Sequence, residues 1–216
     1  MVKSIPLPDY TRKEELINSF SHFAGTLFGL FALIYCLVVS IRNGNKMATF
    51  ASAVYGFSMI LLFTMSGVYH GLKVSDTKRF FRVVDHCAVF VFICGSFTPV
   101  LLSDLRNIYP TRNYILLSVV WILCIIGIAL NAMDFLKYKN VSIIFYVAIG
   151  WLIAFEFLPL YRHYGAPAAI LLLSGGIAYT IGTILYNVGK KKRYFHSVFH
   201  FFVLAGSILH FLTVGL

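Results

Sequence analysis

Apolar stretches close to twenty residues long recur along the whole chain, and they constrain its fold more than any other feature. A membrane-spanning helix needs about 20 consecutive, mostly apolar residues. A chain of 216 residues that is 59% hydrophobic and 12% charged has too few polar side chains to cover a soluble surface. The sequence therefore predicts an all-α, polytopic membrane protein built as a seven-transmembrane helix bundle. The predicted spans are 20–41, 48–69, 82–102, 114–131, 142–158, 168–187 and 194–214, so that an N-terminal segment, 1–19, precedes one transmembrane domain, 20–216.

The distribution of positive charge predicts how this bundle crosses the membrane. Of the 18 Lys and Arg residues, 13 lie in segment 1–19 and in the second, fourth and sixth loops, and five lie in the other loops. Cytoplasmic loops of membrane proteins carry the excess of Lys and Arg. The N-terminal segment is therefore predicted to be cytoplasmic and the C-terminus to lie outside. This anchoring accounts for the net charge of +10, and no nucleic acid partner is expected.

Two histidines four residues apart, His196 and His200, begin the last apolar stretch. A helix places such residues on one face, one turn apart, which lets two imidazoles share a metal ion. In the predicted topology the second span ends, and the third begins, at the same membrane level as this pair. His70, Asp85 and Ser66 therefore reach that level as well. Ionisable groups inside a membrane are costly and mark candidate functional sites.

Three histidines with an open fourth position are typical of catalytic zinc sites. The predicted ligands are His70, His196 and His200, and zinc would lower the pKa of its water to about 7 and polarise a substrate carbonyl. Asp85 could hold that water and accept its proton, while the Ser66 hydroxyl could hydrogen-bond the water, Asp85 or a developing oxyanion. The alternative is that these histidines only hydrogen-bond neighbouring helices.

Three polar residues at the start of the first span form a separate group. Glu15, Asn18 and His22 fall on one helix face, close to the depth of the predicted site. Helix capping and contact with a neighbouring helix is the simpler interpretation. The alternative is that they support the ligating histidines from behind or assist product release.

Two other polar side chains within the spans are expected to stay outside the site. His210 lies about 15 Å or more along the seventh helix from the histidine pair, at 1.5 Å per residue. Glu156 lies near the outer end of the fifth span, where a long charged side chain is expected to extend towards the interface.

The order and spacing of the predicted site residues resemble the hemolysin III group of the adiponectin and progestin receptor (PAQR) family. That family belongs to a wider superfamily of seven-span membrane hydrolases that includes the alkaline ceramidases. The resemblance covers essentially the whole chain. It implies zinc bound by the three histidines, with Asp85 and Ser66 close to the metal-bound water, and a cytoplasmic N-terminus. The matching motifs are Ser66-x-x-x-His70, Asp85, His196-x-x-x-His200, Glu15-x-x-Asn18-x-x-Ser21-His22 and Gly95-Ser96-Phe97-x-Pro99.

These observations favour a zinc-dependent hydrolase that acts on a lipid amide or ester, as a ceramidase does. Its expected partners are membrane lipids, one of them the substrate, and its expected location is the plasma (inner) membrane of a bacterium; a homo-oligomer is left open. One alternative is a non-enzymatic receptor or membrane-homeostasis protein in which zinc is a structural clip. A cytolysin is the least favoured, because seven apolar helices cannot leave a membrane without exposing their surface to water.

Overall fold

Seven long helices make up most of the computed structural model, which describes residues 2–103, 105–189 and 192–215. Within these residues, each of the seven is long and apolar enough to cross a membrane, which confirms the all-α, seven-span prediction. Lys190 and Lys191, which contribute to the charge distribution, lie outside the described residues. The spans are α1 (Arg12–Arg42), α2 (Lys46–Gly71), α3 (Asp76–Leu102), α4 (Pro110–Met133), α5 (Phe135–Tyr164), α6 (Ala166–Gly189) and α7 (Phe195–Val214).

The local sequence explains where the first three helices begin. Thr11 and Glu14 form a capping box, in which the Glu14 N–H donates to Thr11 Oγ1 at 3.3 Å and the Thr11 N–H donates to Glu14 Oε2 at 2.9 Å. Asn45 caps α2 and Ser75 caps α3 through their side-chain oxygens. Helix α1 therefore begins at Arg12, well before the apolar residues that predict the span, and its first two turns carry polar side chains.

Consecutive helices pack against one another, and α7 returns to contact α1. Helix α3 also contacts α5 and α7, which places it towards the centre of the bundle. Small residues allow the helices to approach closely: a Cβ atom added at Gly25 would lie 2.5 Å from the Phe63 ring, and one at Gly56 would lie 2.5 Å from Leu33. The first turns of α1, α3 and α7 and the last turn of α2 meet at one end of the bundle.

Glu156 does not extend to the interface, so that expectation was wrong. Helix α5 is interrupted by a 3-10 turn, Leu152–Glu156, and the carboxylate at its end is completely buried. Both carboxylate oxygens accept hydrogen bonds from Arg112 Nη2, each at 2.6 Å. The difference arises because Arg112, in the first turn of α4, supplies a charged partner although its own side chain is 42% exposed, and a buried carboxylate requires such a partner.

Candidate metal centre

Three histidine side chains from distant parts of the chain meet inside the bundle. His70 lies in the last turn of α2, and His196 and His200 lie in the first two turns of α7. All three are buried, with exposures of 2%, 7% and 2%. One ring nitrogen from each lies within 4.8 Å of those of the other two, so that the group could hold a metal ion.

The donor set and its spacing fit a divalent ion such as zinc. Tetrahedral zinc with Zn–N bonds of about 2.0–2.1 Å separates two ligand nitrogens by about 3.3 Å. The Nε2 atoms of His70 and His196 are 3.4 Å apart. His200 Nε2 is buried and has no hydrogen-bond partner among the described residues. Leaving a buried polar atom unpaired costs free energy, and a coordinated cation would satisfy it.

Three side chains on α1 contact the rings of two of these histidines, His70 and His200. Glu15, Asn18 and His22 share one helix face, as their spacing predicts. Glu15 Oε2 lies 2.6 Å from His70 Nδ1, and Asn18 Nδ2 lies 3.4 Å from the same nitrogen. His22 Nε2 contacts His200 Nδ1. A carboxylate that accepts a hydrogen bond from a metal-ligating histidine fixes the tautomer and ring orientation of that histidine, and Glu15 lies where it could do so for His70.

Asp85 and Ser66 meet where α3 passes α2. Ser66 is buried one turn before His70, and its hydroxyl lies beside the Asp85 carboxylate. Asp85 lines the same cavity as His196 and His200. The structure therefore brings the predicted carboxylate and hydroxyl to the cavity that two of the predicted ligands face.

This cavity extends from the histidines into the apolar interior and has a volume of 170 Å³. Gly150 on α5 and Gly176 on α6 line it, and apart from the local helix backbone no described atom lies within 4 Å of a Cβ position at either glycine. Trp151 bridges the two helices beside them, because its Nε1 donates to Thr180 Oγ1 at 3.0 Å. Glycines thus form part of the cavity wall between α5 and α6, so no side chain at these two positions narrows the cavity.

The chain matches one known protein family over nearly its whole length. The sequence model of the family described as "Haemolysin-III related" matches residues 10–211. The chain belongs to this family.

This haemolysin-III related protein has relatives in bacteria and animals. It is 33% identical over 205 residues to the hemolysin-3 homolog of Bacillus subtilis, with 95% of this chain and 94% of the relative covered. It is 34% identical over 202 residues to hemolysin-3 of Bacillus cereus (94% and 90% covered). It is also 26% identical over 168 residues to the human monocyte to macrophage differentiation factor (74% and 67% covered).

Besides His22, three further histidines of this haemolysin-III related protein lie outside the three-histidine group. His210 is buried and donates from Nε2 to the Leu172 carbonyl at 3.2 Å, so it has a structural partner of its own. His86 lines the cavity and packs edge-on against Phe135, with ring centroids 4.9 Å apart. His163 is exposed. Within the described residues, the three-histidine group that could hold a metal ion contains none of these.

Tyr10, which no sequence motif marks, covers one side of the site. Its ring stacks on His196, with centroids 4.8 Å apart and an interplanar angle of 21°. Burial raises the pKa of the Tyr10 phenol far above its usual value, so the hydroxyl stays protonated at neutral pH. The two nearby prolines, Pro6 and Pro8, predict an extended segment, but they do not predict where that segment lies.

Two arginines of α3 hold this extended segment against the bundle. Arg79 Nε donates to the Ile5 carbonyl at 3.1 Å, and Arg82 Nη1 donates to the Pro6 carbonyl. The Ile5 side chain is buried. Because the acceptors are backbone carbonyls, residues 5 and 6 of the segment need no particular polar side chain for this contact, so no sequence motif indicates it.

Proposed function

We propose that the protein is a zinc-dependent hydrolase that cleaves an amide or ester bond of a membrane lipid. The observation that carries the proposal is the buried group of His70, His196 and His200 beside a cavity that Asp85 lines. Three nitrogen ligands suit zinc, and a carboxylate beside the metal is the usual partner in metal-assisted hydrolysis. The apolar cavity favours an acyl chain as the part of the substrate that the protein encloses.

The proposed reaction adds water to the lipid carbonyl and releases a fatty acid and an amine or alcohol. When bound, zinc supplies Lewis-acid polarisation of the carbonyl and lowers the pKa of a water molecule. Asp85 accepts the proton that this water loses on attack and returns it to the nitrogen or oxygen of the leaving group as the C–N or C–O bond breaks. The Ser66 hydroxyl, which lies beside the Asp85 carboxylate, is proposed to donate a hydrogen bond to it and to keep it aimed into the cavity.

The lipid is proposed to enter from the bilayer between α5 and α6. Gly150 and Gly176 leave open space there, and both line the cavity that reaches His196. Lateral entry would spare an apolar chain from crossing water. Membrane lipids are accordingly the proposed partners, and the location proposed is a bacterial plasma membrane. Association into a homo-oligomer stays a prediction.

Metal removal tests the hydrolase directly. Protein purified without chelators is expected to contain about one zinc ion per chain and to release fatty acid from at least one member of a panel of lipid amides and esters. Stripping the metal should abolish release, and added zinc should restore it, because Asp85 alone cannot polarise the carbonyl. The measurements are metal analysis and mass spectrometry of the released fatty acid. Purified protein that contains almost no metal, or a fully zinc-loaded protein that cleaves no lipid of the panel, would contradict the proposal.

The orientation proposed from charge, with the N-terminus in the cytoplasm, can be tested by cysteine labelling. Lys73 and Asn43 are exposed and follow α2 and α1 respectively. In intact cells, a membrane-impermeant maleimide is expected to label Asn43→Cys, whereas Lys73→Cys should react only after the cells are permeabilised. The reverse pattern would overturn the orientation. The native cysteines give a low background because they lie within the spans and are buried or half-buried: Cys36, Cys87, Cys94 and Cys124.

A structural clip is the second candidate, and one observation favours it. The three histidines join α2 to α7, two helices from distant parts of the chain, so a metal would tie the bundle together at this end. In that case, a metal would stabilise the fold without turnover. Variants that keep the metal but lose the Asp85 carboxylate separate the two candidates.

A further inference from the structure

Lys78, in the first turn of α3, is a buried lysine beside the metal centre. Its side chain is 4% exposed, and its Nζ lies 2.8 Å from Glu15 Oε1. Nζ also donates to the Leu72 carbonyl at 2.9 Å and to the His70 carbonyl at 3.4 Å. A lysine ammonium has three N–H donors, and these three acceptors account for all of them.

The Lys78 ammonium pairs with one carboxylate oxygen of Glu15 and leaves the other oxygen to contact His70, a proposed metal ligand. Oε1 is paired with Lys78, and Oε2 lies 2.6 Å from His70 Nδ1. The Glu15 side chain is 18% exposed and has three rotatable torsions, so without Lys78 it could turn towards water. With Oε1 held, Oε2 accepts the Nδ1–H of His70, and that tautomer leaves the His70 Nε2 lone pair facing the other histidines.

We propose that Lys78 is a positioning residue of the metal centre, which sets the geometry of His70 by holding Glu15. The inference rests on the proposed metal site. Two successive contacts carry this effect: Lys78 holds the Glu15 carboxylate, and the Glu15 carboxylate holds His70, a proposed metal ligand. Residues that hydrogen-bond a ligating histidine typically change metal affinity 10–100-fold when they are removed.

The position of Lys78 on α3 connects the Lys78–Glu15–His70 contacts to Asp85, the predicted general base. Lys78 and Asp85 are seven residues apart, close to two full helical turns, so they lie on the same face of α3. Through Lys78, the same face of α3 is joined to Glu15 on α1 and to the last turn of α2. Lys78 thus sets the relative placement of α1, α2 and α3, the helices that carry Glu15, His70 and Asp85.

A simpler reading is that Lys78 only caps the carbonyl end of α2. Ser75 provides a matched control for that reading. Its Oγ accepts the Lys78 N–H at 3.2 Å and caps α3 at the same end of the bundle, while no described contact joins it to Glu15. Ser75→Ala should therefore disturb the local helix ends without releasing Glu15.

The experiment is a double-mutant cycle in metal binding, measured on the full-length protein by competition with a chelator. Lys78→Met and Glu15→Gln are each expected to weaken zinc binding about 10- to 100-fold. The double variant should be no weaker than Glu15→Gln alone, because Lys78 acts through Glu15. Lys78→Arg, which keeps a cation beside the carboxylate, should recover most of the affinity. Ser75→Ala should bind zinc as the wild type does.

A spectroscopic measurement distinguishes a change in the geometry of the metal site from a general loss of fold stability. With cobalt(II) in place of zinc, the visible absorption reports the coordination geometry, and Lys78→Met and Glu15→Gln should shift it in the same way while Ser75→Ala leaves it unchanged. Additive losses in the cycle, or a wild-type affinity in Lys78→Met, would overturn the inference alone. A higher affinity in Lys78→Met would also overturn it, because the ammonium would then act only by its charge. A wild-type protein that binds no metal would overturn the metal centre and the inference together.

Discussion

His196→Ala is expected to remove the bound metal and the hydrolytic activity together. His196 Nε2 lies 3.4 Å from His70 Nε2, and only two histidines of the metal-binding group remain without it. Loss of a direct ligand should weaken zinc binding by more than the roughly 10- to 100-fold that is typical for residues that only hydrogen-bond a ligand. The purified variant should therefore contain almost no zinc, and fatty-acid release should fall to the level of metal-stripped wild type.

His163→Ala is the matched control for this variant. His163 is exposed and lies outside the metal-binding group, so its removal should change neither the metal content nor the turnover. A thermal unfolding scan of each variant checks that the bundle still forms. A His196→Ala protein with wild-type zinc content would show that the metal is held elsewhere, and the proposed centre would have to be abandoned.

Asp85→Asn is expected to separate chemistry from metal binding. The carboxylate is the predicted proton acceptor, whereas the metal-binding group consists of three histidines, so an amide of the same shape should leave the zinc content nearly unchanged. The amide cannot accept the proton of the attacking water. Removal of a general base typically lowers turnover about 100- to 10,000-fold, and that loss should appear in kcat with little change in metal content or thermal stability.

Asp76→Asn on the same helix serves as its control. The Asp76 side chain is 53% exposed and pairs with Arg79, so its loss should change turnover little. Wild-type turnover in Asp85→Asn would contradict the hydrolytic mechanism. If a biological output survived in Asp85→Asn but was lost in His196→Ala, the zinc clip would become the better description.

The residues of the candidate site could be predicted because their placement depends on helix periodicity and on the length of a span. The spacing of His196 and His200 places them on one face through helix periodicity alone. His70, Asp85 and Ser66 were matched to them by depth, since a span that crosses the membrane has a known length. The family match over residues 10–211 then confirms the resemblance that these motifs indicate.

Residues whose roles depend on a distant partner were not predictable in the same way. Glu156 was expected to reach the interface, but Arg112 holds it inside the bundle. Lys78 carries no motif, and its importance appears only when Glu15 and His70 are seen beside it. Such pairs depend on how neighbouring helices are rotated and tilted about their axes, and the composition of one helix does not set those angles.

The sequence by itself determined the class of this protein. Seven apolar stretches, the excess of positive charge on alternate loops and the spacing of histidines are local properties, and hydrophobic burial and helix periodicity convert them directly into spans and faces. Tertiary structure alone decided the contacts that finish the site. The stacking of Tyr10 on His196 and the chain from Lys78 through Glu15 to His70 join residues that are far apart in sequence. Side-chain atoms must be placed within about 3 Å to hydrogen-bond, and only the packed bundle sets distances to that precision.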